Sequence, residues 1–202
     1  MAYREFTLEN VEQRLGVTLN QKTLFPSVTA LPVTSWLQEA LAKGRQLGFF
    51  SEKARSEFIV APVLLTSREL AAERFSIFSG PTFNVDVALG LMGECDFILT
   101  RTPPLPVLRA PMMALLEAKK HDIEEGLGQC IAQTVAARIF NQRAQPAGAP
   151  VAPVFGCVTT GEDWQFFLLE DQTVWLDSDR YYIVNVGMIL GAFQTIVDSF
   201  DR

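Results

Sequence analysis

The chain has 202 residues, which favours a single domain. Apolar side chains make up 49% and charged ones 20%, a balance that excludes a disordered chain. A net charge of −6 excludes a strongly basic nucleic-acid coat. The charge is uneven, however. Residues 101–143 carry 6 basic and 4 acidic groups, whereas residues 144–202 carry 2 and 8. That leaves the middle of the chain able to face a polyanion while its end stays acidic.

Three cysteines, Cys95, Cys130 and Cys157, stand at no metal-ligand spacing, and their number is odd. Reduced thiols and a cytoplasmic location are therefore expected. The first ten residues carry charges where a signal peptide needs its apolar stretch. No apolar run reaches about 18 residues, so no membrane span is expected. His121 is the sole histidine, which removes two-histidine metal sites and leaves one candidate for a Ser-His-Asp triad, with no Gly-x-Ser-x-Gly beside it.

In chain order, Leu8 to Leu15 reads as a short helix with Leu8, Val11, Glu12 and Leu15 on one side. Residues 20–34 are turn-rich around Pro26 and Pro32. A helix starts with Thr34 or Ser35 as N-cap and runs to Leu47, where Gly48 ends it. Phe49 and Phe50 read as core. Ser51 caps the next helix, from Glu52 to Val60, which Pro62 is expected to bend or break.

The period then changes from helical to alternating. Arg74 to Phe78, Phe83 to Leu89, Glu94 to Arg101 and Met112 to Lys119 read as strands, and this run of consecutive short strands with short connections suggests an antiparallel meander. Asp122-Ile-Glu-Glu125 fits a capping box opening a long helix to about Asn141. After a Pro/Ala/Gly loop come strands at Val154 to Thr159, Trp164 to Leu169 and Thr173 to Leu176, and a closing helix from Val186 to Phe200. The pattern predicts an α/β fold, a central mixed sheet flanked by helices.

The chemistry concentrates in Leu115-Leu-Glu-Ala-Lys-Lys120. Side chains alternate along a strand, so Glu117 and Lys119 share a face. Charges leaving a buried strand are costly unless paired or bound to an ion. Asp96 starts the preceding strand, and antiparallel pairing brings that start beside the end of the next, so Asp96 and Glu117 can converge. Glu94 shares its face and is the rival ligand. Two carboxylates without histidine form a hard oxygen site suited to Mg²⁺ or Mn²⁺ and not to zinc. A neighbouring lysine can orient a water and stabilise developing negative charge, as phosphodiester hydrolysis requires.

Asp96 followed by Glu117-x-Lys119 at the ends of neighbouring strands resembles the PD-(D/E)XK nuclease superfamily. Three features add to the resemblance. Glu57 lies on an upstream helix, where members often carry an acid that completes the metal shell. Gln129 and Gln133 lie one turn apart on the helix after the Glu-x-Lys strand. Phe155 to Phe167 is similar to the strand pair after the core in the nuclease domain of type I restriction motor subunits. The Pro-Asp dipeptide is absent, since Cys95 precedes Asp96.

The resemblance covers roughly residues 50–200. It implies a restriction-endonuclease-like fold: one domain, with residues 1–50 as an N-terminal helical extension and 51–202 as the nuclease-like core. It also implies Mg²⁺-dependent (or Mn²⁺-dependent) hydrolysis of DNA. Asp96, Glu117 and Glu57 would hold the metal, Lys119 would position the water, and Gln129 would contact phosphate or order the strand. The alternatives for these residues are a surface ion pair for Glu117 and Lys119, an exposed pairing of Glu57 with Lys53, and an ordinary polar helix face for the two glutamines. Two other readings compete at the level of function: an inactive module of the same fold that binds nucleic acid or protein, and a homodimer built on Met188, Leu190, Phe193 and Ile196 of the closing helix.

Overall fold

The computed structural model describes residues 2–47 and 51–201. Gly48, Phe49 and Phe50, expected to end one helix and join the core, lie outside them.

Among the described residues, eight strands form one mixed sheet. In chain order they are β1 (Thr18–Lys22), β2 (Ser76–Ser79), β3 (Phe97–Thr100), β4 (Met112–Ala118), β5 (Val154–Thr159), β6 (Asp163–Glu170), β7 (Thr173–Asp177) and β8 (Tyr181–Tyr182). Their order across the sheet is β1-β7-β6-β5-β4-β3-β2, with β8 on β6. The meander β2-β3-β4 is antiparallel, as expected. β4 and β5 run parallel and need a crossover, which the long helix α5 (Ile123–Arg143) supplies. Every residue of β4 is buried, the mark of a strand covered on both faces.

The other helices are α1 (Leu8–Leu15), α2 (Ser35–Leu47), α3 (Glu52–Arg55), α4 (Ala61–Leu70) and α6 (Val186–Ser199). Two hydrophobic clusters divide them between the faces. Leu37 and Leu41 of α2, Val63 and Leu64 of α4, and Leu190 and Phe193 of α6 pack with Phe97, Leu99, Leu116 and Phe166 on one side of the sheet. Tyr3, Phe6, Val11 of α1, and Leu127 and Ile131 of α5 pack with Ile98, Leu115, Val158 and Phe167 on the other.

Several expectations are corrected. Pro62 does not end its helix: a π-helical turn, Ser56–Val60, joins α3 to α4, and Pro62 sits in the first turn of α4. Proline lacks the N–H for an intrahelical bond, and the wider turn accommodates it. Phe83 to Leu89 is not a strand. It belongs to a hairpin-like loop held by isolated bridges Thr82–Glu94 and Asp86–Leu91. Asp122 caps α5 by accepting from Glu124 N at 2.8 Å, the second helical position and not the third.

The N-terminal segment is also more than a helical extension. It supplies β1, which pairs parallel with β7, and it puts Phe25 into the core between Phe155 and Phe166. The dimer face expected on α6 is spent internally: Leu190, Phe193 and Ile196 are each at most 1% exposed. Residues 28–31 cross that helix so closely that a Cβ on Gly191 would lie 2.1 Å from Thr29 O. No helix among the described residues is long and apolar enough to cross a membrane.

Candidate functional site

The meander delivers Asp96 and Glu117 to the same end of the sheet. Phe97 faces Leu116 in the β3–β4 register, so the residues just beyond them are neighbours. Asp96 Oδ2 accepts from Ala118 N at 2.7 Å, a side-chain bond that continues the ladder past the end of β3. Asp96 Oδ1 has no hydrogen bond among the described residues.

Glu117 points towards α5. Leu115, two residues earlier on the same face, belongs to the cluster that contains that helix. The Glu117 carboxylate is nearly buried, at 4% exposure, and both of its oxygens are engaged. Oε1 accepts from Lys119 Nζ at 3.0 Å and from Gln129 Nε2 at 2.6 Å. Oε2 accepts from Gln133 Nε2 at 2.9 Å. Lys119 Nζ also donates to Gln129 Oε1 at 3.1 Å, closing a ring of three side chains. Gln129 and Gln133 reach one carboxylate because residues four apart share a helix face. Gln133 Oε1 is buried with no partner among the described residues.

The electrostatics follow from this burial. Loss of solvent, and after it the Asp96 charge, push the Glu117 carboxyl up to about 7 against the downward pull of Lys119 and the Gln133 bond. Burial also raises Asp96, against the Ala118 bond and the Lys119 charge. Burial opposes the charge on Lys119, yet its pKa lies above the ordinary lysine value because Glu117 faces it. Two largely desolvated carboxylates thus lie near one ammonium, which is bonded to Glu117 and not to Asp96.

The upstream acid is not where it was expected. Glu57 is about half exposed and pairs with Lys53 at 3.8 Å, with no bond to the cluster. Glu52, in the first turn of α3, is the acid whose charge bears on both Asp96 and Lys119. Glu94 is exposed; only its carbonyl reaches the cluster, 3.5 Å from Gln133 Nε2. His121 and Lys120 are exposed loop residues.

The structure therefore brings together Asp96, Glu117, Lys119 and Gln129 and leaves Glu57, expected as a metal ligand, outside; Glu52 was not singled out in the sequence. Gln133, singled out with Gln129, is a direct partner of Glu117 and not an ordinary polar helix position.

The chain matches no protein-family model and no curated protein.

Among the described residues, no three His, Cys, Asp or Glu side chains are grouped tightly enough to hold a metal by themselves. The donor set nevertheless suits a hard cation. Asp96 and Glu117 offer carboxylate oxygens, one of them unbonded, and the excess negative charge around them is what a divalent ion would neutralise.

Proposed function

We propose that the chain is a metal-dependent phosphodiesterase acting on DNA, with a PD-(D/E)XK-type site. The observation that carries the reading is the convergence of Asp96, Glu117 and Lys119 at one sheet end, with Gln129 bonded to both Glu117 and Lys119 and Asp96 bonded to Ala118 N between them. The element order supports it: a helix, a three-stranded meander, the crossover helix, then a strand parallel to the Glu-x-Lys strand.

Asp96 and Glu117 would hold Mg²⁺ or Mn²⁺, with Glu52 in place of Glu57 as the nearby third acid. When bound, the ion supplies Lewis acidity towards a phosphoryl oxygen. The rest is the work of the chain's own residues. Lys119 presents its ammonium beside Glu117, where it orients a water and stabilises charge developing on the phosphorane oxygens. Gln129 spans the Glu117 carboxylate and the Lys119 ammonium and keeps both in place. Gln133 fixes the second oxygen of Glu117 from below.

A second reading, a nuclease-fold module without catalysis, is favoured by one observation. Both Glu117 oxygens are already satisfied by the protein.

Calorimetry with Mn²⁺ separates the two, run with and without a DNA oligonucleotide. Binding by the wild type that is lost in Glu117→Ala is expected. No binding in either condition would leave the non-catalytic module standing. Cleavage of plasmid DNA in Mg²⁺, abolished in Lys119→Ala, would complete the case.

A further inference from the structure

The N-terminal segment builds one wall of the approach to this cluster. A cleft of about 330 Å³ is lined by Ala2, Tyr3, Arg4, Gly93, Glu94 and Gln129. Gln129 is the link inward, since it bonds both Glu117 and Lys119.

The wall is firmly seated. Tyr3 N donates to Met92 O at 3.1 Å, and Tyr3 Oη to Phe83 O at 2.8 Å. The Tyr3 ring lies where a Cβ on Gly93 would meet it at 3.3 Å. Four residues on, the segment runs across α5 at Gly128, where a Cβ would stand 2.5 Å from Thr7 Cα. Arg4, between these anchors, is exposed, and its guanidinium has no hydrogen bond or ion pair among the described residues.

On its other side Arg4 borders a cleft of about 410 Å³ whose lining includes Glu9, Asp122, Glu124 and Glu125. Those acids repel a polyanion, and the Gln129 side is the less acidic of the two.

We infer that the Arg4–Gln129 cleft admits the backbone of a nucleic-acid strand to the site, with Arg4 contacting a phosphate. The inference rests on the proposed function. A fixed backbone support and an unengaged guanidinium suit that contact, because no existing bond must break and only the Arg4 side chain has to be ordered on binding.

The test is fluorescence anisotropy with labelled single-stranded and duplex oligonucleotides in Ca²⁺, across a salt series. Arg4→Ala and Arg4→Glu are compared with Arg45→Ala, which removes the same charge from α2 on the far face of the sheet. Arg4→Ala is expected to weaken binding by about tenfold. It is also expected to reduce the slope of log affinity against log salt by about 1. Arg4→Glu should weaken it more, and Arg45→Ala should leave both quantities near wild type. Matching thermal melts would show that the variants are folded. Wild-type binding that Arg4→Ala leaves unchanged, or that Arg45→Ala weakens equally, overturns the inference and leaves the proposed function intact. No binding by the wild type overturns both.

Discussion

Gly126 and Lys119 are packed without room for a side chain between them. A Cβ on Gly126 would lie 2.9 Å from Lys119 Cγ and 2.6 Å from Val158 Cγ1. The aliphatic stem of the site lysine is thus pinned between α5 and β5, and this keeps its ammonium beside Glu117. Gly126→Ala is expected to cost about 1–3 kcal/mol in urea unfolding, the usual range for overpacking a filled site. A change below about 0.3 kcal/mol would show that the lysine stem gives way freely.

The metal-free protein should lose stability as pH rises towards neutrality. The Glu117 carboxyl titrates at about 7 in the fold, against an ordinary 4.5. Between those values the folded state binds more protons than the unfolded one, so the unfolding free energy falls as pH increases. The penalty is absent below the unfolded value and complete above the folded one. Its size is roughly 3 kcal/mol. Asp96, also raised, acts with the same sign. Thermal melts from pH 4.5 to 8 should show the decline in wild type and a shallower one in Glu117→Gln. A slope identical in both would contradict the assignment.

Asn141 secures the opposite end of the strand that carries Glu117. It is 3% exposed; its Oδ1 accepts from Met112 N at 2.8 Å and its Nδ2 donates to Met112 O at 2.9 Å. Asn141→Ala leaves two buried backbone groups unpaired and should destabilise the fold by about 2–4 kcal/mol. Asn141→Asp keeps only the acceptor half, so denaturant midpoints should rank it below wild type.

The chain's C-terminal turn is fastened by two arginines. Arg74 reaches Asp198 at 2.7 Å and also pairs with Asp201. Arg101 meets Asp201 at 2.5 Å and donates to Phe200 O at 2.5 Å. The carboxylates are substantially exposed, so Arg74→Ala is expected to cost about 0.5–1 kcal/mol. That difference should shrink in 1 M salt, whose screening length is about 3 Å. A loss that is large and independent of salt would mean that the arginine stem, not its charge, carries the contact.

Much of this arrangement was legible because it depends on local period. Leu8–Leu15 and Val154–Thr159 have the bounds their apolar spacing suggests. Alternation put Glu117 and Lys119 on one face, and the helical repeat put Gln129 and Gln133 on another. β1 was not legible. Thr18 to Lys22 has no apolar alternation, and the strand exists because β7, some 150 residues later, offers it an edge.

The error over Glu57 has a geometric cause. Ser56–Val60 is a π-helical turn, wider than the α-helix the sequence suggests, so residues before it do not keep α-helical phase with those after it. Glu57 falls inside that turn and pairs with Lys53, whereas Glu52 lies in the α-helical turn before it. Motif resemblance pointed to Glu57 and carries no information about the wider turn.

The three cysteines, buried at Cys95, Cys130 and Cys157, have a practical consequence. Burial raises the pKa of each thiol above its ordinary value, so almost no thiolate is present at neutral pH. Two of them touch the site region: Cys130 donates to carbonyls of β4 and β5, and Cys95 immediately precedes Asp96. A thiol reagent can therefore label the chain only during openings of the sheet and α5. Labelling rates at the separate cysteines would time how often each part of the site comes apart, with no probe added to the protein.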